Sequence, residues 1–167
     1  NAQSRVLEEA LISAQIPYRI YGGLRFFERA EIKDALAYLR LMANRNDDPA
    51  FERVVNTPTR GIGDQTLQML RLEARAQGIS LWQAAEHLLT NQSLAARAAN
   101  ALTLFIQLID KMDEDTKTLT LAEQTEQVLY SSDLFNHYKK EKGERGQARI
   151  ENLEELINAT RQFVPED

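Results

Sequence analysis

A short glycine-containing segment is the part of this sequence best suited to bind a ligand. It spans residues 57–66, Thr-Pro-Thr-Arg-Gly-Ile-Gly-Asp-Gln-Thr, and an apolar segment lies on either side of it. Two glycines around one apolar residue at a helix start can leave backbone N–H groups exposed. Such a start carries about half a positive charge and binds phosphate without reading a base. The spacing therefore predicts either a phosphate-binding helix start or a plain turn between two helices.

The sequence contains no arrangement of residues typical of catalysis. The phosphate loop Gly-x4-Gly-Lys-Ser/Thr, which nucleotide hydrolysis would require, is absent. His87 and His137 lie far apart and outside any metal-ligand pattern, so we interpret both as surface residues. The acidic run at residues 110–115 is most simply a solvated helix end, and no nucleophile lies beside a base. We expect neither a catalytic site nor a metal site in this chain alone.

Length and composition limit the class of protein. With 167 residues, 43% of them hydrophobic, the chain can form one domain with a real core and a fragment of a second. The lack of cysteine excludes disulfides and thiolate metal sites, and it fits a reducing cytoplasm. No run of eighteen apolar residues and no signal-peptide pattern occur, so we expect no membrane partner. The chain begins Asn-Ala and ends after an amphipathic run, which predicts a piece of a longer protein.

The charges are distributed unevenly along the chain. The net charge is −5, but residues 1–61 hold nine basic and eight acidic side chains, whereas residues 62–136 hold five and ten. Basic residues also concentrate at Lys139, Lys140, Lys142, Arg145 and Arg149. The net charge disfavours wholesale wrapping by nucleic acid, and a local basic face remains compatible with it. Scattered solvated charges are the alternative.

Helical periodicity dominates the sequence, and it predicts a mainly α, multi-helix bundle with a helix-hairpin-helix-like element. The one strand signal is the alternating segment 18–21, which follows a predicted helix over 4–14. Further helices are predicted over 31–42, 81–89 and 94–112, and three more around residues 128, 135 and 153. Trp82 is interpreted as a core anchor rather than a base-stacking platform.

The helix boundaries are predicted from capping residues. The pattern indicates an N-cap at Asp48 with proline in the first turn, a stop at Gly78, and a new cap at Ser80. Thr120 and Glu123 form a capping box, and Asp133 begins another helix. Gly143 and Gly146 are predicted to separate that helix from the final one.

Several segments, taken together and in order, resemble one family, the UvrD/PcrA/Rep group of superfamily 1 DNA helicases. The resemblance covers nearly the whole chain. It is carried by Asn-Ala-Gln-Ser-Arg at 1–5, Tyr-Arg-Ile-Tyr-Gly-Gly at 18–23, Arg-Phe-Phe-Glu-Arg at 25–29, Glu-Ile-Lys-Asp at 31–34, Ala-Tyr-Leu-Arg-Leu at 37–41, Arg-Val-Val-Asn-Thr-Pro at 53–58, the hairpin at 60–63, and Arg-Ile-Glu-Asn-Leu-Glu-Glu-Leu at 149–156.

The resemblance implies a division into two parts. Residues 1–21 would be a helix–strand fragment of the second RecA-like motor domain, 2A, and residues 22–167 would be the helical 2B domain, truncated at its C-terminal end. The ATP-binding loop, the Asp-Glu box and the arginine finger of the family lie outside this chain. The parent protein would be an ATP- and Mg²⁺-dependent 3′-to-5′ DNA helicase acting in repair, in the bacterial cytoplasm at the nucleoid. This piece itself would need no cofactor.

The resemblance also implies where DNA is contacted. The family's 2B domain holds the duplex ahead of the single-strand/double-strand junction through its Gly-Ile-Gly hairpin. By position, the contacts fall on the residues Gly61, Ile62, Gly63, Thr66, Lys33 and Arg40, with the basic Arg60 directly before the hairpin. The motor domains of the same chain, and possible repair proteins, are the other implied partners. A protein-interaction or autoinhibitory module with little direct DNA binding is the alternative, favoured by the acidic middle at 110–115, Glu123 and Glu126.

The residue types fit the implied contacts. Glycine at 61 and 63 lets backbone approach a phosphate where a Cβ atom would collide. Ile62 can anchor the hairpin in the core, and the Thr66 hydroxyl adds a donor. Lys33 and Arg40 are seven residues apart, so they share one helix face about 10 Å apart along the axis. A solvated stripe is the alternative for that pair, because Glu31 and Asp34 lie beside it in sequence. Phosphate contacts of this kind carry no sequence information.

Overall fold

The computed structural model describes residues 24–161, and this part of the chain is an α-helical bundle without strands. The mainly α prediction is therefore confirmed. The predicted helix at 4–14, the strand at 18–21 and the proposed 2A fragment lie outside the described residues. The helices are α1 Leu24–Glu28, α2 Ala30–Ala43, α3 Asp48–Val54, α4 Asp64–Gln77, α5 Leu81–Thr90, α6 Ala96–Thr116, α7 Leu121–Ser131, α8 Leu134–Lys139 and α9 Glu144–Arg161.

Helix α2 is the centre of the bundle. It contacts α1, α3, α6, α7 and α9, and ten of its fourteen residues are buried. Helix α4, by contrast, packs chiefly on α5 and buries only Leu70 completely. The start of α4 therefore lies at the edge of the bundle, where a ligand can reach it.

An aromatic cluster joins three helices in the core. The rings of Phe51 on α3 and Phe105 on α6 meet edge to face with centroids 5.7 Å apart, and Trp82 on α5 lies 6.5 Å from each. All three side chains are buried. Edge-to-face rings are favourable because the positive ring edge meets the negative face of its neighbour. The interpretation of Trp82 as a core anchor is confirmed.

Most of the predicted caps are confirmed. Two capping boxes are present, Ser80 with Gln83 and Thr120 with Glu123. In each box, the side chain of each residue accepts a hydrogen bond from the backbone N–H of the other. Gly78 ends α4 in the left-handed conformation, with φ of 64°. These signals involve residues three or four positions apart, which is why the sequence alone locates them.

The cap of α3 was predicted one residue too late. Asp47 is the N-cap and accepts a hydrogen bond from the Ala50 N–H, so the proline occupies the second helical position. The neighbouring Asp48 carboxylate instead accepts the Leu81 N–H at 2.9 Å. It therefore caps α5 across the fold, a contact that no local pattern could show. The long helix α6 also begins two residues later and ends four residues later than predicted.

The boundary between α8 and α9 is at Gly143 alone, so the prediction for Gly146 was wrong. Gly143 has φ of 89°, a left-handed value that favours glycine, whereas Gly146 lies inside the first turn of α9. A Cβ atom at Gly146 would come within 2.0 Å of the Glu141 carbonyl oxygen. The glycine is therefore needed for close packing. Asp133 occupies the N-cap position of α8 but makes no side-chain hydrogen bond to a backbone N–H there.

Candidate nucleic-acid interface

The segment between α3 and α4, residues 55–63, is a loop held in one shape from within. The Asn56 side-chain oxygen accepts the N–H of Arg60 at 2.7 Å and the N–H of Ile62 at 3.2 Å. The Ile62 side chain is buried, as predicted. Because its N–H is already bound to Asn56, Ile62 supports the loop rather than offering a donor to a ligand. Sequence reasoning missed Asn56, although asparagine commonly organises turns through its side chain.

The Arg60 side chain points into the bundle. Its Nη1 donates to the carbonyl oxygens of Val54 at 2.8 Å and Pro58 at 3.2 Å. The guanidinium carbon lies 5.3 Å from the ring centre of Phe105, within cation–π range. Its Nη2 also donates to the Tyr38 hydroxyl. Arg60 therefore holds the loop against α2, α3 and α6.

The start of α4 carries the exposed donors. Gly63 is the N-cap, and no side chain satisfies the N–H groups of the first turn. Among the residues that the structure describes, the backbone N–H groups of Gly63, Asp64, Gln65 and Thr66 have no hydrogen-bond acceptor. Gly63, Asp64 and Gln65 are exposed. Together with the helix dipole, such donors favour an anion. The Asp64 carboxylate already places one negative charge there.

The two loop glycines serve different purposes. Gly61 has φ of 84°, so it is required for the turn itself. Gly63 has φ of −88° and ψ of −177°, an extended conformation that other residues adopt readily. A Cβ atom at either position would meet nothing within 4 Å. Gly63 is therefore not needed by the fold, and its small size leaves space over the helix start.

Lys33 and Arg40 lie on α2, but on a different side of it from the glycine loop. Tyr38 faces the loop, since its hydroxyl donates to the Thr57 carbonyl at 2.5 Å. At about 100° per residue, Lys33 and Arg40 lie roughly 140–160° around the helix from Tyr38. Lys33 is exposed, whereas Arg40 is half-buried, and burial lowers its pKa while Asp47 opposes that effect. The predicted residues thus form two surfaces rather than one cluster.

The acidic neighbours of Lys33 are turned away from solvent. Glu31 and Asp34 are only 4% and 5% exposed. Glu31 accepts a hydrogen bond from Asn152 on α9 at 2.7 Å, and Asp34 binds Arg53 at 2.8 Å and the Tyr138 hydroxyl. Of the charged residues around Lys33, Glu31 and Asp34 are therefore buried, and the alternative of a fully solvated stripe does not hold. Within the described part of the chain Lys33 has no ion-pair partner, which leaves its charge available.

The four carboxylates at 110–115 have basic partners at the surface of the fold. Arg45 bridges Asp110 and Asp113 at 2.9 and 3.0 Å, while its guanidinium carbon lies 5.4 Å from the ring centre of Trp82. Asp115 and Glu114 pair with Lys111 and Lys117, respectively. The helix end at 110–115 is solvated, as predicted, and Arg45, a residue distant in sequence, pairs with two of its carboxylates.

The buried tyrosine under the loop makes the fold sensitive to alkaline pH. Burial raises the pKa of Tyr38 to about 12, and the nearby Arg60 charge and hydrogen bond oppose the rise only in part. The unfolded value is about 10, so the folded protein binds this proton more tightly. The contribution of the protonated Tyr38 to the free energy of unfolding is therefore fully present below pH 10 and is lost as the pH rises towards 12.

We expect the free energy of unfolding to fall by about 2–3 kcal/mol between pH 10 and 12 from Tyr38 alone. Denaturant titrations at a series of pH values measure this. Tyr38→Phe removes the ionisable group, so its stability, although lower at neutral pH, should decline less over that range. Burial also raises the pKa of Tyr138, so part of the decline should persist in Tyr38→Phe. An unchanged decline in Tyr38→Phe would contradict the assignment.

Within residues 24–161 no group of three or more His, Cys, Asp or Glu side chains is placed to hold a metal ion. His87 lies at the surface, as predicted, and its Nδ1 contacts the Glu73 carboxylate. None of the helices in this range combines the length and apolar character required to cross a bilayer.

An exposed helix start with free backbone donors, next to a glycine-containing loop, is an arrangement suited to binding an anion. Comparison with known proteins places the chain in a family. All 167 residues match the model of the UvrD-like helicase C-terminal domain, and the chain belongs to that family.

Three relatives show how similar the chain is to characterised members. It is 63% identical to DNA helicase II of Escherichia coli (strain K12) over 98% of its length, and 59% identical to DNA helicase II of Haemophilus influenzae over its full length. It is also 41% identical to the ATP-dependent DNA helicase PcrA of Bacillus subtilis (strain 168) over 98% of its length. The chain spans only 22–23% of the length of these curated relatives.

Proposed function

We propose that this chain is a non-catalytic, duplex-DNA-binding and regulatory 2B module of an ATP-dependent 3′-to-5′ DNA helicase acting in repair. The observation that carries the proposal is the start of α4. Four successive backbone N–H groups there lack acceptors among the described residues, and no side chain at Gly63 covers them. Free donors at a helix start bind phosphate oxygens. The names of the relatives, DNA helicase II and PcrA, support DNA as the ligand.

The division of labour follows from what the chain contains. The sequence has no phosphate loop, so we propose that ATP and Mg²⁺ are bound by motor domains outside this chain. The module would hold the duplex at a single-strand/double-strand junction and regulate those motor domains through its position. We place the helicase in the bacterial cytoplasm at the nucleoid, in contact with repair proteins. Lys33, Arg40, Thr66, Gly61 and Gly63 are the proposed contacts, and Arg60 and Ile62 would support the loop from within.

Salt-dependent binding tests the proposal. A fluorescently labelled hairpin duplex is titrated with the chain between 50 and 200 mM salt, and the logarithm of affinity is plotted against the logarithm of salt concentration. Phosphate contacts release counterions, so the plot should be steep, and Lys33→Ala should lower the slope by about one unit. Neither protein should distinguish between duplex sequences, because no base edge is read. Absence of duplex binding at 50 mM salt would overturn the proposal.

A second candidate function is a protein-interaction or autoinhibitory module. The observation in its favour is a groove beside Tyr130, whose side chain is 62% exposed. Glu123, Glu126 and Glu154 contribute to the lining, and Lys139 and Arg161 are the basic residues among them. An exposed tyrosine among carboxylates suits a basic partner surface. Binding to such a partner would depend on Tyr130 and would be insensitive to changes at Gly63.

A further inference from the structure

The turn between α8 and α9 concentrates positive charge on an acidic protein. We call residues 139–145 the basic turn; its cationic side chains are Lys139, Lys140, Lys142 and Arg145, and all four are exposed. Three of the six lysines of the chain lie in its first four positions, although the net charge is −5. A compact basic patch on an acidic chain is the electrostatic footprint of a polyanion site.

The lysines of the basic turn differ from the lysines on α6 and after it. Lys111 and Lys117 pair with carboxylates at 3.0 and 2.9 Å. Within residues 24–161, Lys139, Lys140 and Lys142 form no ion pair. The Lys139 ammonium instead lies 5.9 Å from the ring centre of Phe135. The positive charges of these three lysines are therefore not neutralised by carboxylates in the described fold.

The basic turn also holds two acidic residues, Glu141 and the exposed Glu144, and Glu141 is paired with arginines. The Glu141 carboxylate lies 3.2 Å from Arg149 and 3.6 Å from Arg145, both on α9. Arg149 in turn stacks over the ring of Tyr138, at 5.2 Å from its centre. Glu141 therefore connects the turn to α9 while the three lysines are exposed, and four basic against two acidic side chains leave the turn with a formal charge of +2.

The backbone of the basic turn is fixed by packing. Gly146, in the first turn of α9, lies directly against the carbonyl groups of Tyr138 and Glu141, so close that a Cβ atom would collide with them. Gly143 supplies the left-handed bend that reverses the chain. The cationic side chains are thus carried on a rigid turn, which lowers the entropy lost on binding a ligand.

The basic turn lies close to the part of α2 that carries Lys33. The Arg60 guanidinium reaches the Ser132 carbonyl at 3.4 Å, just before α8 begins. Helix α8 has six residues, so the basic turn begins about 9 Å further along. The last turn of α8 also contacts α2. There the Tyr138 hydroxyl donates a hydrogen bond to Asp34, the residue after Lys33. A duplex lying over the Lys33 surface can therefore reach the basic turn.

We propose that the basic turn is a second contact for the phosphate backbone of duplex DNA, made by Lys139, Lys140, Lys142 and Arg145. The identity of the ligand rests on the proposed function, whereas the site is separate from the α4 helix start. The contact adds affinity and registers the duplex against the Lys33 side of α2, and it reads no base.

A charge-matched pair of double variants tests the basic turn in the whole 167-residue chain. Lys140→Gln/Lys142→Gln removes two unpaired lysines, and the control Lys111→Gln/Lys117→Gln changes the net charge equally at another surface. Each lost phosphate contact lowers the salt slope by about 0.9. The first variant should therefore lose about 1.8 units of slope, so that the ratio of its affinities at 50 and 200 mM salt shrinks about tenfold. The control should keep the slope of the parent.

Each outcome separates this contact from the proposed function. An unchanged slope in Lys140→Gln/Lys142→Gln, or an equal loss in both double variants, overturns the basic turn while duplex binding by the parent stands. A loss confined to the basic-turn variant, with Gly63→Thr binding normally, supports the basic turn and removes the α4 start from the interface. A parent that binds no duplex overturns both proposals.

Discussion

Gly63→Thr is expected to weaken duplex binding ten- to hundredfold without unfolding the protein. The backbone at Gly63 is extended, and a Cβ atom there meets nothing within 4 Å, so the fold tolerates threonine. Threonine is also an acceptable N-cap, and its hydroxyl accepts an N–H of the first helical turn. The new side chain thus takes a donor that phosphate would use and blocks the approach to the others. Losing one charge-assisted contact costs about 1.5–3 kcal/mol, which corresponds to that range of affinity.

Fluorescence titration with hairpin duplex at 50 and 150 mM salt measures the effect, and a thermal melt confirms that the variant is folded. Asp64→Asn is the matched control of opposite sign. It removes the negative charge at the first helical position, so a phosphate held there should bind more tightly. We would abandon the α4 start as the DNA site if a folded Gly63→Thr protein bound as tightly as the parent and Asp64→Asn changed nothing.

Features encoded by near neighbours were predictable from the sequence. The capping boxes at Ser80 and Thr120 and the left-handed Gly78 depend on contacts over three or four residues, and each is present. The apolar stripe of α2 follows equally from local periodicity, and Ile62 is buried as expected for the one apolar residue between two loop glycines. The position of the candidate site on a loop before a helix start was predictable for the same reason.

Features set by distant residues were not predictable. Asp48 appeared to cap its own helix, yet it caps α5, thirty-three positions away. A solvated stripe around Lys33 was the alternative that the sequence left open, yet Glu31 is buried and accepts a hydrogen bond from Asn152, 121 positions away. A polar side chain can form hydrogen bonds of similar strength with several partners nearby in sequence or in space. Tertiary packing decides which of these bonds forms. The direction of Arg60 is the clearest case for the interface, because its partners include Tyr38 and the Ser132 carbonyl.

Arg60→Ala is therefore expected to lower the stability of the fold and to have little direct effect on DNA binding. The substitution removes hydrogen bonds to the carbonyls of Val54 and Pro58, the bond to Tyr38, and the contact with the Phe105 ring. Hydrogen bonds from a charged donor contribute about 1.5–3 kcal/mol, and acceptors left without a partner add to the cost. We expect a loss of about 3 kcal/mol in the free energy of unfolding, or roughly 6–12 °C in Tm.

Arg71→Ala is the matched control, because Arg71 pairs with Glu52 at the surface, where such pairs contribute about 0–1 kcal/mol. Lysine at position 60 should restore little, since one ammonium cannot reproduce the planar fork that serves several acceptors. Denaturant unfolding of the three variants gives the comparison. At a temperature where Arg60→Ala is still folded, its salt slope for duplex binding should match that of the parent. A stable Arg60→Ala protein with a slope lower by one unit would show instead that Arg60 leaves the bundle and binds phosphate itself.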